Sequence, residues 1–346
     1  MKIGTVKKLV AVSSVAALML GVSACSSSAP SSNNNAKGGK DEKILVVPKY
    51  TGLKYFDVSG DGARAQAKKL GVGFDYIGSQ ESTTNAQIQT LTSAVAQKPA
   101  AMVVSAIDEN AVAPVLQRAM KQGIKVVTYD ADATSSARNV FVNQLSYKLA
   151  AETMLDAALK NDPEGGKVAF ISASPSATNH RKHVEWMKKL IDTDSRYSKL
   201  KYIDTVQYSN DDPAKSESIS RNLMQANPDL KFIISSSVPT TAAAANAIAN
   251  AGKKGQVYAP GFSMPSSMKQ FVEDGTIKAF SLWDPAQLGA VSVSVADQLA
   301  KGKIKGQKGE KVKVDGVGEF TIGENNEIDV NKPLIFTKDN IAKYDF

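Results

Sequence analysis

Short, continuous apolar runs alternate with amphipathic stretches from about residue 44 onward. Runs at 44–47, 74–77, 101–106 and 125–129 predict strands buried on both faces, because their apolar residues follow one another without alternation. The stretches between them have helical periodicity and end near glycine or proline, which commonly terminate helices. Repeated strand–helix–strand units of this kind indicate a parallel sheet covered by helices on both sides.

The same alternation begins again near residue 148 and continues to about residue 301, with strands expected at 202–208 and 257–260 among others. We therefore predict an α/β protein with two doubly wound parallel-sheet lobes, joined by a multi-strand hinge and holding a ligand in the cleft between them. The expected first lobe comprises 44–145 and about 284–312. The expected second lobe comprises 146–283 and about 313–346, which places the C-terminal third partly between the two.

The residues that follow the predicted strands are the candidate ligand contacts, because open α/β sheets bind ligands beyond the carboxyl ends of their strands. They combine aromatic rings with charged and amide groups, a mixture typical of sugar sites, where rings stack and hydroxyls need paired donors and acceptors. These candidates are Lys49, Tyr55, Phe56, Asp130, Asp132, Asn179, His180, Arg181, Trp283 and Gln287. Taken singly, the two aspartates also suit turns, and the aromatic residues also suit a core.

The N-terminal region has the layout of a secretory signal. Lys2, Lys7 and Lys8 precede an apolar run at 9–22 that is too short to span a membrane. The chain's one cysteine, Cys25, follows Ser23 and Ala24 and resembles the lipidated residue of a bacterial lipobox. We expect a lipoprotein signal peptide at 1–24 and a lipidated Cys25 with a flexible, Ser- and Asn-rich tether through residue 43. The alternative is an ordinary signal peptide beside a chance cysteine.

Composition argues against several other functions. The formal charge of +8 falls to +5 once the three signal-peptide lysines are removed, and no basic patch interleaved with aromatic residues indicates a nucleic-acid partner. With two histidines and no thiol in the mature chain, a metal site is not expected. Neither a P-loop nor a GxGxxG motif follows a strand, so we expect no cofactor and no catalytic residue. Asp130 and Asp284 remain an alternative carboxylate pair for a secreted glycoside hydrolase.

Several segments resemble the sugar-type substrate-binding proteins of ABC importers. They are ILVVPK at 44–49, KYFD at 54–57, VVTYDAD at 126–132, VNQ at 142–144, PGFS at 260–263 and FSLWD at 280–284. The C-terminal FTKDNIAKYDF at 336–346 is similar to the subgroup that binds autoinducer-2 or rhamnose. The resemblance covers the chain from about residue 44 to its end and implies the type I periplasmic binding protein fold.

The resemblance also implies roles for individual residues. Lys49 and Asp130 match two residues with which the autoinducer-2 receptors grip their ligand. Asn179 and His180 stand where those receptors have an Asp–Gln pair, while Ser236 and Val238 replace a proline and an alanine. An unpaired buried hydroxyl costs about 1–3 kcal/mol, so these replacements predict a small sugar or polyol other than autoinducer-2.

Together these features predict an extracytoplasmic, lipid-anchored, monomeric protein that delivers a small sugar or sugar-like signal to an ABC permease. The lipid anchor suggests a Gram-positive envelope. One alternative is a receptor of the same fold that feeds a membrane kinase or chemoreceptor, and the other is the hydrolase.

Overall fold

Two parallel sheets carry the architecture of the region that the structure describes. A computed structural model of the chain describes residues 43–330 and 332–346. The strands are β1 (Lys43–Val47), β2 (Gly73–Tyr76), β3 (Ala101–Val104), β4 (Lys125–Tyr129), β5 (Val140–Asn143), β6 (Gly166–Ser172), β7 (Leu200–Tyr202), β8 (Gln207–Tyr208), β9 (Leu230–Ile234), β10 (Ala279–Leu282), β11 (Lys311–Val314), β12 (Gly318–Thr321), β13 (Glu327–Asp329) and β14 (Leu334–Thr337). The helices are α1 (Lys54–Leu70), α2 (Thr84–Ala96), α3 (Ala113–Lys121), α4 (Tyr147–Asn161), α5 (Thr178–Thr193), α6 (Pro213–Ala226), α7 (Val238–Asn250), α8 (Pro265–Glu273) and α9 (Pro285–Ala300).

The first sheet has the order β2-β1-β3-β4-β5-β13, and every pairing in it is parallel. Its central strands are buried along almost their whole length, as the continuous apolar runs predict. In the second sheet β6 pairs in parallel with β7, β8 and β9. Strands β10 and β14 form an antiparallel pair linked to this sheet through single bridges at Tyr258 and Phe262. These two sheets confirm the predicted α/β fold class.

Helices α1 and α9 pack closely enough to fix the segments that lead to the cleft. A Cβ atom at Gly62 would overlap the backbone carbonyl of Ala286, and one at Gly289 would overlap that of Ser59. Only glycine permits this approach of two helix backbones. Because α1 begins after the loop that follows β1 and α9 begins shortly after β10, this contact holds the segments after these two strands close together.

The chain passes between the two sheets after β5, after β10 and after β13. β13 pairs with β5 in the first sheet, whereas the sequence expectation placed everything after about residue 313 in the second lobe. Hairpin β11–β12 also packs on α9, which covers the first sheet. Residues 313–329 therefore belong with the first sheet, which corrects the expectation for them. The expectation that the chain then returns to the second sheet agrees with the pairing of β14 with β10.

Other sequence predictions differ from the structure in detail. The strand expected at 202–208 is divided into β7 and β8, and the one expected at 257–260 is reduced to the bridge at Tyr258. The expected signal peptide, Cys25 and most of the expected tether lie outside the described residues; Lys43, assigned to the tether, begins β1. Among the described residues, no helix is both long and apolar enough to cross a bilayer.

Candidate functional site

A cleft lies between the carboxyl ends of the two sheets, and a cavity within it has walls from both. The space between these walls is about 420 Å³, including the open mouth. Its lining comes from the loop after β1, the start of α1, the end of β4, the start of α5, the loop after β8, the start of α7 and the end of β10. The lining residues are Lys49, Tyr50, Leu53, Tyr55, Phe56, Asp130, Asn179, His180, His183, Asp211, Ser236, Ser237, Val238, Pro239 and Trp283.

Asp130 lies at the centre of the first-sheet wall. It directly follows β4 with a positive φ of 60°, a left-handed conformation that Asp and Asn adopt more readily than other non-glycine residues. Tyr55 Oη donates to its Oδ1 at 3.0 Å, and Ser105 Oγ donates to its Oδ2 at 2.7 Å. Lys49 Nζ lies 3.7 Å from Oδ2, and both side chains are nearly buried. The site therefore holds a fixed, paired carboxylate.

An aromatic wall supports this carboxylate. The Tyr55 ring contacts Phe56 and Trp283 edge-on, at centroid distances of 5.1 Å and 5.8 Å, and Phe262 packs on Trp283 at 4.9 Å. Trp283 Nε1 donates to Tyr55 Oη at 3.1 Å, and that hydroxyl in turn donates to Asp130. Burial, followed by the negative charge of Asp130, raises the pKa of Tyr55 well above its ordinary value. The phenol therefore stays protonated and acts as a donor.

Two hydrogen bonds join the walls across the cleft. Lys49 Nζ donates to Asn179 Oδ1 at 3.3 Å, and Tyr50 Oη donates to Asp211 Oδ2 at 3.3 Å. Ser237 Oγ donates to the other carboxylate oxygen of Asp211 at 2.5 Å. Since the Lys49–Asn179 and Tyr50–Asp211 pairs each join a loop of the first sheet to an element of the second, the structure describes the cleft in a closed form.

Both histidines of the chain line the cavity from one face of α5. His180 Nδ1 accepts from the backbone N–H of Ala173 at 3.4 Å. Burial, and then the positive charge of Lys49, lowers the pKa of His180 well below its ordinary value. Burial also lowers the pKa of His183 to about 3, with smaller contributions from His180 and Lys49. Both imidazoles are therefore neutral at neutral pH, and each offers one donor and one acceptor nitrogen.

The structure brings most of the sequence-predicted site residues together and separates three of them. In the cavity wall are Lys49, Tyr55, Phe56, Asp130, Asn179, His180, Ser236, Val238 and Trp283. Asp132, Arg181 and Gln287 are not among the lining residues, so the expectation for these three is not supported by the geometry.

Each of these three residues has a different environment. Asp132 accepts hydrogen bonds from Arg138 Nε and Nη2, both at 2.8 Å. Arg181 is exposed and forms ion pairs with Glu185 at 3.0 Å and Glu109 at 3.7 Å. Gln287 contributes its backbone N–H to the Asp284 side chain that caps α9. The alternative pairing of Asp130 with Asp284 is not supported either, because Asp284 is an exposed helix cap outside the cavity.

The sequence prediction missed six lining residues: Tyr50, Leu53, His183, Asp211, Ser237 and Pro239. Asp211 follows β8 and could have been found by the strand-end rule if the two short strands had been separated. His183 lies three positions after His180, so helical spacing puts it on the same face. Among the described residues, no group of three or more His, Cys, Asp or Glu side chains could hold a metal ion.

The fold and the closed cleft define a two-lobed binding protein, and comparison with known proteins agrees. Residues 44–304 match the family described as periplasmic binding protein domain, so the chain belongs to that family. It is 37% identical to a sugar ABC transporter protein from Actinomyces odontolyticus, with a TM-score of 0.74 over 88% of this chain and 98% of that chain.

Two further solved structures match this chain over 88% of its length. An ABC transporter solute-binding protein from Clostridium phytofermentans with bound L-rhamnose is 27% identical, with a TM-score of 0.83 over 98% of that chain. A protein from Clostridium saccharobutylicum in complex with AI-2 is 26% identical, with a TM-score of 0.82 over 100% of that chain. These findings confirm the resemblance and the type I periplasmic binding fold. The matched family consists of periplasmic binding proteins, and two of these structures are ABC transporter proteins for sugars, so the chain belongs with binding proteins rather than with enzymes.

Proposed function

We propose that this protein captures one small sugar or sugar-like signal in its cleft and delivers it to an ABC permease. The observation that supports this most is the composition of the cavity wall, where aromatic rings face a buried Lys49–Asp130 pair and several amide and hydroxyl groups. A sugar offers weakly apolar C–H faces to such rings and hydroxyls to such donors and acceptors. The family's sugar-binding relatives support the same ligand class.

Asp130 and Lys49 are the proposed principal polar contacts. Each oxygen of the Asp130 carboxylate already accepts one hydrogen bond from the protein, which leaves lone pairs for two ligand hydroxyls. The Lys49 ammonium has three donors, one of which is used by Asn179. The two groups together recognise neighbouring hydroxyls or a hydroxyl beside a ring oxygen. Tyr55, Phe56 and Trp283 supply the face on which the ring packs.

The volume of the cavity limits the ligand to about one sugar unit. The empty space of about 420 Å³ includes the open mouth, so the room between the walls themselves is smaller than that figure. In the proposed cycle the two lobes open by breaking the Lys49–Asn179 and Tyr50–Asp211 contacts, and the ligand favours the closed form because it bridges both walls. The closed form is the one that docks on the permease.

The ligand differs from autoinducer-2 in its preferred contacts with the second-sheet wall. Asn179 and His180 present an amide and a neutral imidazole to the cavity, and Ser236 in the loop before α7 and Val238 at its first position also line it. None of these four residues is a carboxylate. The carboxylate that this wall does contribute, Asp211, already accepts hydrogen bonds from Tyr50 and Ser237, so the wall favours a ligand that needs fewer acceptors on this side. Rhamnose, ribose and related pentoses or deoxyhexoses are the proposed candidates.

The site of action follows from the N-terminal sequence. We propose that Cys25 is lipidated after removal of residues 1–24 and that the Ser- and Asn-rich tether holds a monomeric binding domain near its permease in a Gram-positive envelope. No cofactor and no nucleic acid take part.

A thermal-shift panel tests this function. The purified chain is melted alone and with saturating L-rhamnose, D-ribose, D-allose or autoinducer-2, and at least one of them is expected to raise the Tm by roughly 5 °C, because a ligand at about 100 times its Kd stabilises the folded state by mass action. Leucine and uridine serve as controls of other chemical classes. A shift with a control and none with any sugar would contradict the sugar proposal.

A further inference from the structure

His183 is a buried polar residue of the cavity wall. The ligand contacts proposed above involve Lys49 and Asp130 and assign it no role. It lies on α5, one turn after His180, and its side chain is 1% exposed. Its ring packs against Tyr147 at a centroid distance of 5.7 Å and against Phe262 at 5.8 Å, nearly perpendicular to the latter. These neighbours hold the imidazole in one orientation beside the cavity.

Neither nitrogen of His183 has a hydrogen-bond partner among the residues that the structure describes. The other polar side chains on this part of α5 differ in this respect, since His180 accepts from Ala173 and Asn179 accepts from Lys49. Buried polar groups in native proteins are nearly always hydrogen-bonded, and those that are not need an explanation. An aromatic residue such as Phe would pack between Tyr147 and Phe262 without leaving two polar atoms unpaired.

We propose that His183 is a specificity-determining residue whose imidazole forms a hydrogen bond with a hydroxyl or carbonyl oxygen of the bound sugar. This inference rests on the proposed function and extends it by assigning a further contact on the second-sheet wall. A neutral imidazole pairs with a hydroxyl as donor or acceptor, whereas a ligand lacking oxygen at this place leaves both nitrogens unpaired. The site therefore selects a sugar that carries oxygen toward α5 over its deoxy analogue.

The burial of His183 agrees with this role. Because its pKa is lowered to about 3, the ring remains uncharged and does not repel the nearby Lys49 ammonium when a ligand is bound. Recognition by this residue is thus a matter of hydrogen-bond geometry and not of charge.

The test compares three variants of the full chain by calorimetric titration with L-rhamnose, D-ribose, D-allose and autoinducer-2. His183→Phe keeps a planar ring but removes both nitrogens, while His183→Gln keeps one donor and one acceptor. Tyr147→Phe is the matched control, because Tyr147 packs on His183 and is not among the cavity-lining residues.

For a sugar that binds the wild type, His183→Phe is expected to weaken affinity about tenfold or more. His183→Gln should stay within about threefold of the wild type, and Tyr147→Phe should be unchanged. The unliganded Tm of His183→Phe is expected to equal or exceed that of the wild type, because the substitution removes two unpaired buried polar atoms. In the wild type, the ¹⁵N shifts of the His183 ring should change when the sugar is added.

Two outcomes would overturn the proposal, and they are distinct from a failure of the proposed function. Wild-type affinity in His183→Phe, or ¹⁵N shifts of His183 that do not respond to a bound sugar, would show that this residue only packs. The ¹⁵N measurement requires no variant and so remains decisive even if His183→Phe does not fold. Absence of wild-type binding to all four sugars would instead refute the proposed function, and this inference with it.

Discussion

Replacing Asp130 with alanine is expected to weaken sugar binding at least about 30-fold. The substitution removes the proposed acceptor of two ligand hydroxyls and also leaves Lys49 as a nearly buried cation without its carboxylate partner. Truncating one member of a buried, hydrogen-bonded charge pair typically costs 2–5 kcal/mol of binding free energy, about 30-fold to several thousand-fold in Kd. Calorimetric titration with a sugar that shifts the wild-type Tm measures the loss.

The variant Asp130→Asn tests the carboxylate charge alone, because asparagine has nearly the same size and shape as aspartate. Asparagine also tolerates the positive φ of this position, so the turn after β4 is kept while the carboxylate is lost. We expect Asp130→Asn to fold like the wild type and still lose most of its affinity. Wild-type affinity in either variant would remove Asp130 from the proposed site.

Replacing Asp132 with alanine is expected to lower the stability of the fold strongly and to leave sugar affinity nearly unchanged. Asp132 forms a bidentate ion pair with Arg138, whose side chain is 3% exposed. Arg138 also donates a hydrogen bond to the backbone carbonyl of Asn325 at 2.7 Å. Removing one partner of a buried ion pair leaves an uncompensated charge and costs about 3–5 kcal/mol. Urea unfolding of Asp132→Ala and wild type measures this difference.

The two aspartates lie two positions apart, so each is a control for the other. At temperatures where Asp132→Ala remains folded, its affinity for the sugar should stay within a few-fold of the wild-type value. An Asp132→Ala variant with wild-type stability and no sugar binding would return Asp132 to the ligand site, as the sequence prediction had it.

The order of strands and helices was predictable because a strand buried on both faces appears in the sequence as a continuous apolar run. The runs of β1 and β3 are apolar apart from Lys43, and β4 is apolar apart from Lys125 and Thr128. Strands β5 and β14 were missed because each follows the preceding strand without an intervening α-helix, and β13 was missed because it has only three residues, two of them charged. β13 reads Glu-Ile-Asp, and its place in the first sheet depends on long-range pairing with β5.

The candidate site was predictable to the level of loops but not of side-chain direction. The strand-end rule places Asp130 and Asp132 together, yet the turn at Asp130 directs one carboxylate to the cavity and the other to Arg138. On α5, His180 and His183 share the cavity face while Arg181 lies on the exposed face. Such differences follow from the backbone's local geometry, which residue type alone does not reveal.

The central claim is that a sugar binds in the cavity beside Trp283. The chain has two tryptophans, so Trp186→Phe leaves Trp283 as the one source of indole fluorescence. Titration of this variant with L-rhamnose, D-ribose, D-allose and autoinducer-2 is expected to give a saturable change in Trp283 emission with the Kd found by calorimetry. Calorimetric binding with unchanged Trp283 emission, or no binding of any of the four, would contradict the account.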